Sequence, residues 1–79
     1  MPIVQVKVLK GVFDGSEKQE IISRVTDAMV SVEGEPLREY TWVTVEEIES
    51  GDVGIGGNPL TTQAVQDLRR TATATAAAH

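Results

Sequence analysis

Cysteine is absent from the 79 residues, so neither a disulfide framework nor a thiolate metal site can hold this chain together, and its redox compartment stays open. Histidine occurs once, at position 79. A single terminal imidazole is expected to be solvated, and without a second histidine or any cysteine there is no Ser/His/Asp or Cys/His set for nucleophilic catalysis. Basic charge is short as well: 7 Lys and Arg stand against 12 Asp and Glu, a formal charge of -5. That balance argues against a nucleic-acid surface and favours small molecules or protein chains as partners. No window approaches the roughly 18 apolar residues of a membrane span. Met1-Pro2-Ile3 has neither the basic n-region nor the apolar h-region of a leader, so the expectation is no membrane and a soluble, cytoplasmic protein. No internal repeat is visible.

What is there begins at once. Ile3-Val4-Gln5-Val6-Lys7-Val8-Leu9 is dense in β-branched residues and free of breakers, which predicts a strand starting at the terminus and makes that terminus part of the fold. Lys10-Gly11-Val12-Phe13-Asp14-Gly15 has the glycines and aspartate of a loop. Ser16 with Gln19 three residues on matches a capping box, so a helix is expected to start there. Its apolar face is read as Ile21, Ile22, Val25, Ala28, Met29 and Val32, and it should stop near Gly34, since Pro36 cannot sit inside a continuing helix. Tyr40 to Ile48 predicts a second strand, with Val43 and Val45 on one face and Trp42 and Ile48 on the other.

A helix of this length between two strands favours a parallel βαβ unit with the helix on one face. Ile3, Leu9, Trp42 and Ile48 then remain on a bare face, a candidate interface with another copy. The length points the same way: one small domain this size sits near the limit of a self-sufficient core, and oligomerisation is the support left to it. Gly51 to Pro59 is too glycine-rich for long regular structure and reads as a turn or small hairpin. Thr61 to Arg70 predicts a short last helix, followed by a low-complexity Ala/Thr tail, residues 71–79, expected to be mobile or loosely packed.

Two sets of residues invite a chemical reading that their context removes. Gly54-Ile55-Gly56-Gly57 could cradle a phosphate, but Pro59 stands where a GxGxxG motif needs its last glycine and no GK[ST] follows, so turn chemistry is the expectation. Glu46, Glu47 and Glu49 could face a metal, yet strand alternation sends Glu46 and Glu47 to opposite faces and no histidine supports them. No metal site is expected.

Taken together, Met1-Pro2-Ile3 opening a strand, the helix pattern, a second strand ending in Glu46-Glu47, and Gly54-Ile55-Gly56-Gly57 behind it resemble the tautomerase superfamily, specifically the short 4-oxalocrotonate tautomerase-like group. The resemblance covers about residues 2 to 70 and implies an α+β fold built on βαβ, with parallel strands, a short hairpin and a short C-terminal helix, assembled into oligomeric sheets. Residues 1–70 would form that domain. It also implies removal of the initiator methionine, the Pro2 nitrogen as general base in keto-enol conversion of a small keto or enol acid, no cofactor, and a homohexamer. An α-amino group has a reference pKa of roughly 7.7 to 8, and an apolar pocket lowers it toward the value a base needs at neutral pH.

The sequence also departs from the family's pattern. Val12 stands where an arginine follows the loop glycine, Trp42 where a second arginine lies early in the second strand, and Val53 where an aromatic residue precedes the hairpin. Arg38 is a candidate replacement cation, because a guanidinium can hold a carboxylate with two hydrogen bonds; a surface role for it, and for Lys7 and Lys10, is the competing reading. Two classes of function follow. One is a Pro2-dependent isomerase or a related decarboxylase or hydratase, and the other is a non-catalytic subunit that keeps the fold. The substrate expected of the first is a monocarboxylic, partly apolar acid of the phenylenolpyruvate type, since one cation can hold only one carboxylate.

Overall fold

The β-branched run at the start of the chain forms β1 (Ile3–Leu9), and the second such run forms β2 (Trp42–Ile48), paired with it in parallel over its whole length. The computed structural model describes residues 2–77, with side chains described through Thr71; Met1 and the expected solvated His79 lie outside that range. Parallel neighbours need a crossover, and α1 (Gly15–Glu33) supplies it. Beyond β2 come β3 (Val53–Ile55) and β4 (Asn58–Leu60), a separate antiparallel hairpin, and then α2 (Thr62–Ala77). The α+β architecture expected from the sequence is therefore present. Gly56 and Gly57 join the two hairpin strands with φ of 60° and 85°, the paired positive angles of a type I′ turn, which glycine adopts without a Cβ penalty.

Strand alternation decides which side chains the crossover helix covers. Val4, Val6, Val8, Val43 and Val45 are half-buried, while the opposite face carries the register pairs Ile3 with Trp42, Gln5 with Thr44, Lys7 with Glu46 and Leu9 with Ile48. Ile3 and Trp42 remain 61% and 56% exposed. Among the described residues only Val12 and Val30 are buried. The accessible surface, 5713 Å² for 8.5 kDa, exceeds the value of about 4,700 Å² that monomer scaling gives for this mass. One helix on one sheet face leaves the core unfinished.

Several boundaries differ from the sequence reading, each for a local reason. Asp14, not Ser16, caps α1: its carboxylate accepts from the Glu17 amide at 2.8 Å, and the Glu17 carboxylate accepts from the Asp14 amide at 3.1 Å, a reciprocal capping box two residues earlier than Ser16-Gln19. The apolar face is also rotated. Val30 goes in, whereas Val32 is 87% exposed and Ala28 is exposed too. Tyr40 belongs to a 3₁₀ helix, Glu35–Tyr40, with Pro36 in its first turn, so β2 begins at Trp42. Finally, α2 runs past Arg70 to Ala77, taking in part of the expected tail, because the Ala/Thr run has no glycine or proline to end it and alanine is the best helix former.

Three side chains dock α2 on the end of β1. As the chain leaves the sheet, the carbonyls of Lys10, Gly11 and Val12 lose their ladder partners; the Thr62 hydroxyl donates to the first at 2.5 Å, Gln66 Nε2 to the second at 2.6 Å and Arg69 Nη1 to the third at 2.8 Å. Positions 62, 66 and 69 share one helical face, so successive turns meet successive carbonyls. Gly11 makes this approach possible. Its φ is +88°, and a Cβ there would stand 3.0 Å from Thr62 Cγ2. Gly11→Ala is expected to cost about 1–3 kcal/mol, read from the urea midpoint at fixed protein concentration. Gly15→Ala, where an added Cβ meets nothing within 4 Å, should leave the midpoint unchanged or raise it; equal losses at both sites would show that the docking is not what Gly11 serves.

Candidate functional site

Pro2 enters the sheet just ahead of β1, and the sheet sets its position: its carbonyl accepts the Trp42 amide at 3.1 Å, and the side chain is half-buried. The last turn of α1 and the 3₁₀ helix meet the neighbouring residue Thr41. Thr41, next to Trp42, places its hydroxyl between the Leu37 carbonyl, at 2.8 Å, and the Glu33 carboxylate. The second Glu33 oxygen is shielded from solvent and has no partner among the described residues. Tyr40 and Trp42, each more than half exposed, give this end of the sheet an aromatic surface.

Arg38 reaches the same neighbourhood through its backbone, whose carbonyl accepts the Thr41 amide at 3.2 Å. Its guanidinium is already engaged. Nε and Nη2 donate to the two Glu35 oxygens at 2.9 and 3.0 Å, and Nη1 donates to Asp27 at 2.9 Å. The hydrogen bonds to Glu35, and then those to Asp27, hold Arg38 firmly in its charged form. Its partners lie three and eleven positions back in the chain.

Val12 and Val53 are elsewhere. β1 separates Pro2 from Val12, and seven residues at about 3.3 Å each span roughly 23 Å, so one chain does not bring these positions together. Val53 lies in the hairpin, half-buried and paired with Leu60. Near Val12 the structure assembles residues that the sequence reading passed over. A concavity of about 540 Å³ is lined by Val12, Gln66, Arg69 and Arg70. Arg69 Nη2 donates to Glu17 at 2.6 Å, and its guanidinium carbon stands 4.8 Å from the centre of the Phe13 ring. The available signal was the polar spacing of Thr62, Gln66 and Arg69 at i, i+4 and i+7.

The remaining candidates have structural partners. Glu47 pairs with Lys18 at 3.0 Å and Glu49 with Lys10 at 3.1 Å. Lys7 lies opposite Glu46 in the strand register. Among the described residues no group of three or more His, Cys, Asp or Glu is placed to hold a metal, and no helix is long and apolar enough to cross a membrane.

A parallel βαβ unit with proline leading its first strand and a glycine hairpin behind its second places the molecule among the small tautomerase-fold proteins. The comparison with known families agrees, and the chain belongs to the tautomerase family: residues 2–63 match the family described as tautomerase enzyme. A Campylobacter jejuni protein named probable tautomerase Cj0270 is 32% identical over 57 residues, which cover 72% of this chain and 82% of that protein. A solved structure of the 4-oxalocrotonate tautomerase isozymes from Methylibium petroleiphilum superposes with a TM-score of 0.67 at 28% identity, covering 81% of this chain and 97% of the other. The crystal structure of DmpI from Helicobacter pylori gives 0.67 and 28%, covering 75% and 95%. These likenesses support a tautomerase-type function and an isomerase of the 4-oxalocrotonate tautomerase group.

The carboxylates of this structure also set its acid response. Glu17 is held below its ordinary value by hydrogen bonding to Arg69, Glu35 by Arg38 and Glu47 by Lys18, while backbone donation from Glu17 lowers Asp14. A lowered folded-state value contributes stability above the unfolded value, near 4, that is lost as pH falls through the folded one. The urea midpoint should therefore hold from pH 7 to about 5 and decline below that, with a shallower decline in Arg69→Gln, which releases Glu17. The pairs are largely exposed, so the effect of each should be small and weakened by salt.

Proposed function

We propose that this chain is a cofactor-independent tautomerase in which the Pro2 nitrogen, freed by removal of Met1, is the general base for keto-enol conversion of a small 2-keto or enol acid. The carrying observation is where Pro2 stands: half-buried at the head of β1, its carbonyl pinned by the Trp42 amide. A secondary amine held there can take the proton from carbon 3 of a 2-keto acid and, as the ammonium so formed, pass it to the oxygen of carbon 2 to give the enol; the reverse reaction moves it from that oxygen back to carbon 3. Trp42 would offer an apolar wall to a monocarboxylic acid of the phenylenolpyruvate type. Arg38 could anchor its carboxylate only by exchanging Asp27, its single-bond partner, for the ligand.

The same reading takes the chain to act in the cytoplasm as a homohexamer, a trimer of dimers. The uncovered sheet face and the excess surface of the single chain support more than one copy; the number six rests on the family resemblance alone. A second reading, a non-catalytic subunit of this fold, is favoured by one observation: Val12 carries no charge and Arg38 is already paired. A related Pro2-dependent decarboxylase or hydratase would use the same base.

Mass spectrometry of the purified chain, combined with ultraviolet assay of phenylenolpyruvate, separates these readings. A chain beginning at Pro2 should turn over, Pro2→Ala should lose roughly 10- to 1,000-fold while keeping a titratable primary amine, and a chain with one extra residue ahead of Pro2 should be inactive. Full activity with that extension rules out the Pro2 base. Inactivity of a chain with a free Pro2 on keto and enol acids favours the non-catalytic subunit.

Sedimentation tests the assembly independently. A hexamer is expected at micromolar concentration, and Ile3→Lys, which puts a charge on the open face, should shift it to smaller species. A folded native monomer would contradict the proposal.

A further inference from the structure

The concavity between the Gly11–Phe13 loop and α2 has an apolar floor and two cations held in different ways. Val12, 7% exposed, forms the floor, and Gln66 closes one side with its amide fixed on the Gly11 carbonyl. Arg69 cannot leave easily, since the Val12 carbonyl, the Glu17 carboxylate and the Phe13 ring face all hold it. Arg70 differs. Among the described residues it pairs with Asp67, one turn back on the same helix, with both side chains more than half exposed. An exposed pair of this kind contributes little to stability, so an incoming carboxylate can take the place of Asp67 at small cost. Gln63 Nε2 donates to the same Asp67 oxygen at 3.0 Å and can retain that carboxylate when Arg70 swings away.

We propose that this concavity is a binding site for a small monocarboxylate with an apolar body, in which Arg70 takes the carboxylate, Val12 meets the apolar body and Arg69 is a positioning residue that fixes the loop. Both arginines lie outside the segment, residues 2–63, that matches the family, while Val12 lies inside it. A guanidinium offers a carboxylate two parallel hydrogen bonds, and a single displaceable cation selects one carboxylate over two. The volume, about 540 Å³, lies within the range of small-ligand sites. Any part the site plays in turnover rests on the Pro2 reading, but binding can be measured without it.

The test is a titration of the full chain with 3-phenylpropionate, which cannot tautomerise, followed by NMR at the Val12 methyls and the Arg70 side-chain NH, with 3-phenylpropanamide as the neutral control. The acid should shift both signals and the amide should not. Arg70→Gln should weaken binding roughly tenfold, and Asp67→Asn, which removes the competing carboxylate, should strengthen it about threefold. Both substitutions lie on exposed positions of α2, and a circular-dichroism melt confirms that each variant is folded. Binding of the acid unchanged in Arg70→Gln, or equal binding of acid and amide, overturns the site. If blocking Pro2 abolishes turnover while Arg70→Gln binds as before, this site fails and the Pro2 reading stands; Arg70-dependent binding in a chain whose turnover ignores the block gives the reverse.

Discussion

A parallel pair of strands has two faces, and this chain has one crossover helix to cover them. The covered face collects Val4, Val6, Val8, Val43 and Val45 under α1; the other leaves Ile3 and Trp42 in water. Two buried side chains among the described residues are too few to offset the conformational entropy of ordering a chain this long. The rest of the molecule depends on that shortage. Its open face alternates apolar ends with a Lys7-Glu46 centre, a pattern that solvent and a second copy can both meet.

The ends differ because of how the backbone leaves the sheet. At the head of β1 the ladder continues to Pro2, so the proline is placed by a main-chain hydrogen bond and not by its own side chain. At the other end the ladder stops, and the carbonyls of Lys10, Gly11 and Val12 take donors from α2. The Val12 carbonyl is part-buried and needs a partner, and meeting that need brings Arg69, and with it Arg70, beside a valine. The donors to these carbonyls, Thr62, Gln66 and Arg69, and the proposed carboxylate ligand Arg70 thus lie on the same helix.

Legibility followed the range of the interaction. The strands, the helix stop at Gly34 and the glycine hairpin were readable because each depends on residues within a few positions of one another. The cap was harder, since Asp14-Glu17 and Ser16-Gln19 both satisfy the same spacing and only the structure shows which amides are free. The rotation of α1 was harder still: Val30 and Val32 are chemically identical, and which one goes in depends on where the sheet lies. Arg38 shows the limit for the site. No spacing rule joins it to Asp27, eleven positions back, because the contact exists only after the 3₁₀ helix folds against α1.

By itself the sequence determined the order and type of the main strands and helices, the parallel unit they make, the absence of thiolate and paired-histidine chemistry, and the placement of a proline at the head of a strand. These follow from propensity, periodicity and composition, which act locally. The tertiary structure decided which residues share an end of the sheet: Pro2 with Trp42, Arg38 with two carboxylates, and Val12 with arginines more than fifty positions away. Such meetings depend on the register of β1 against β2 and on the direction α2 takes across the loop, and both are set by packing and backbone hydrogen bonding over the whole chain.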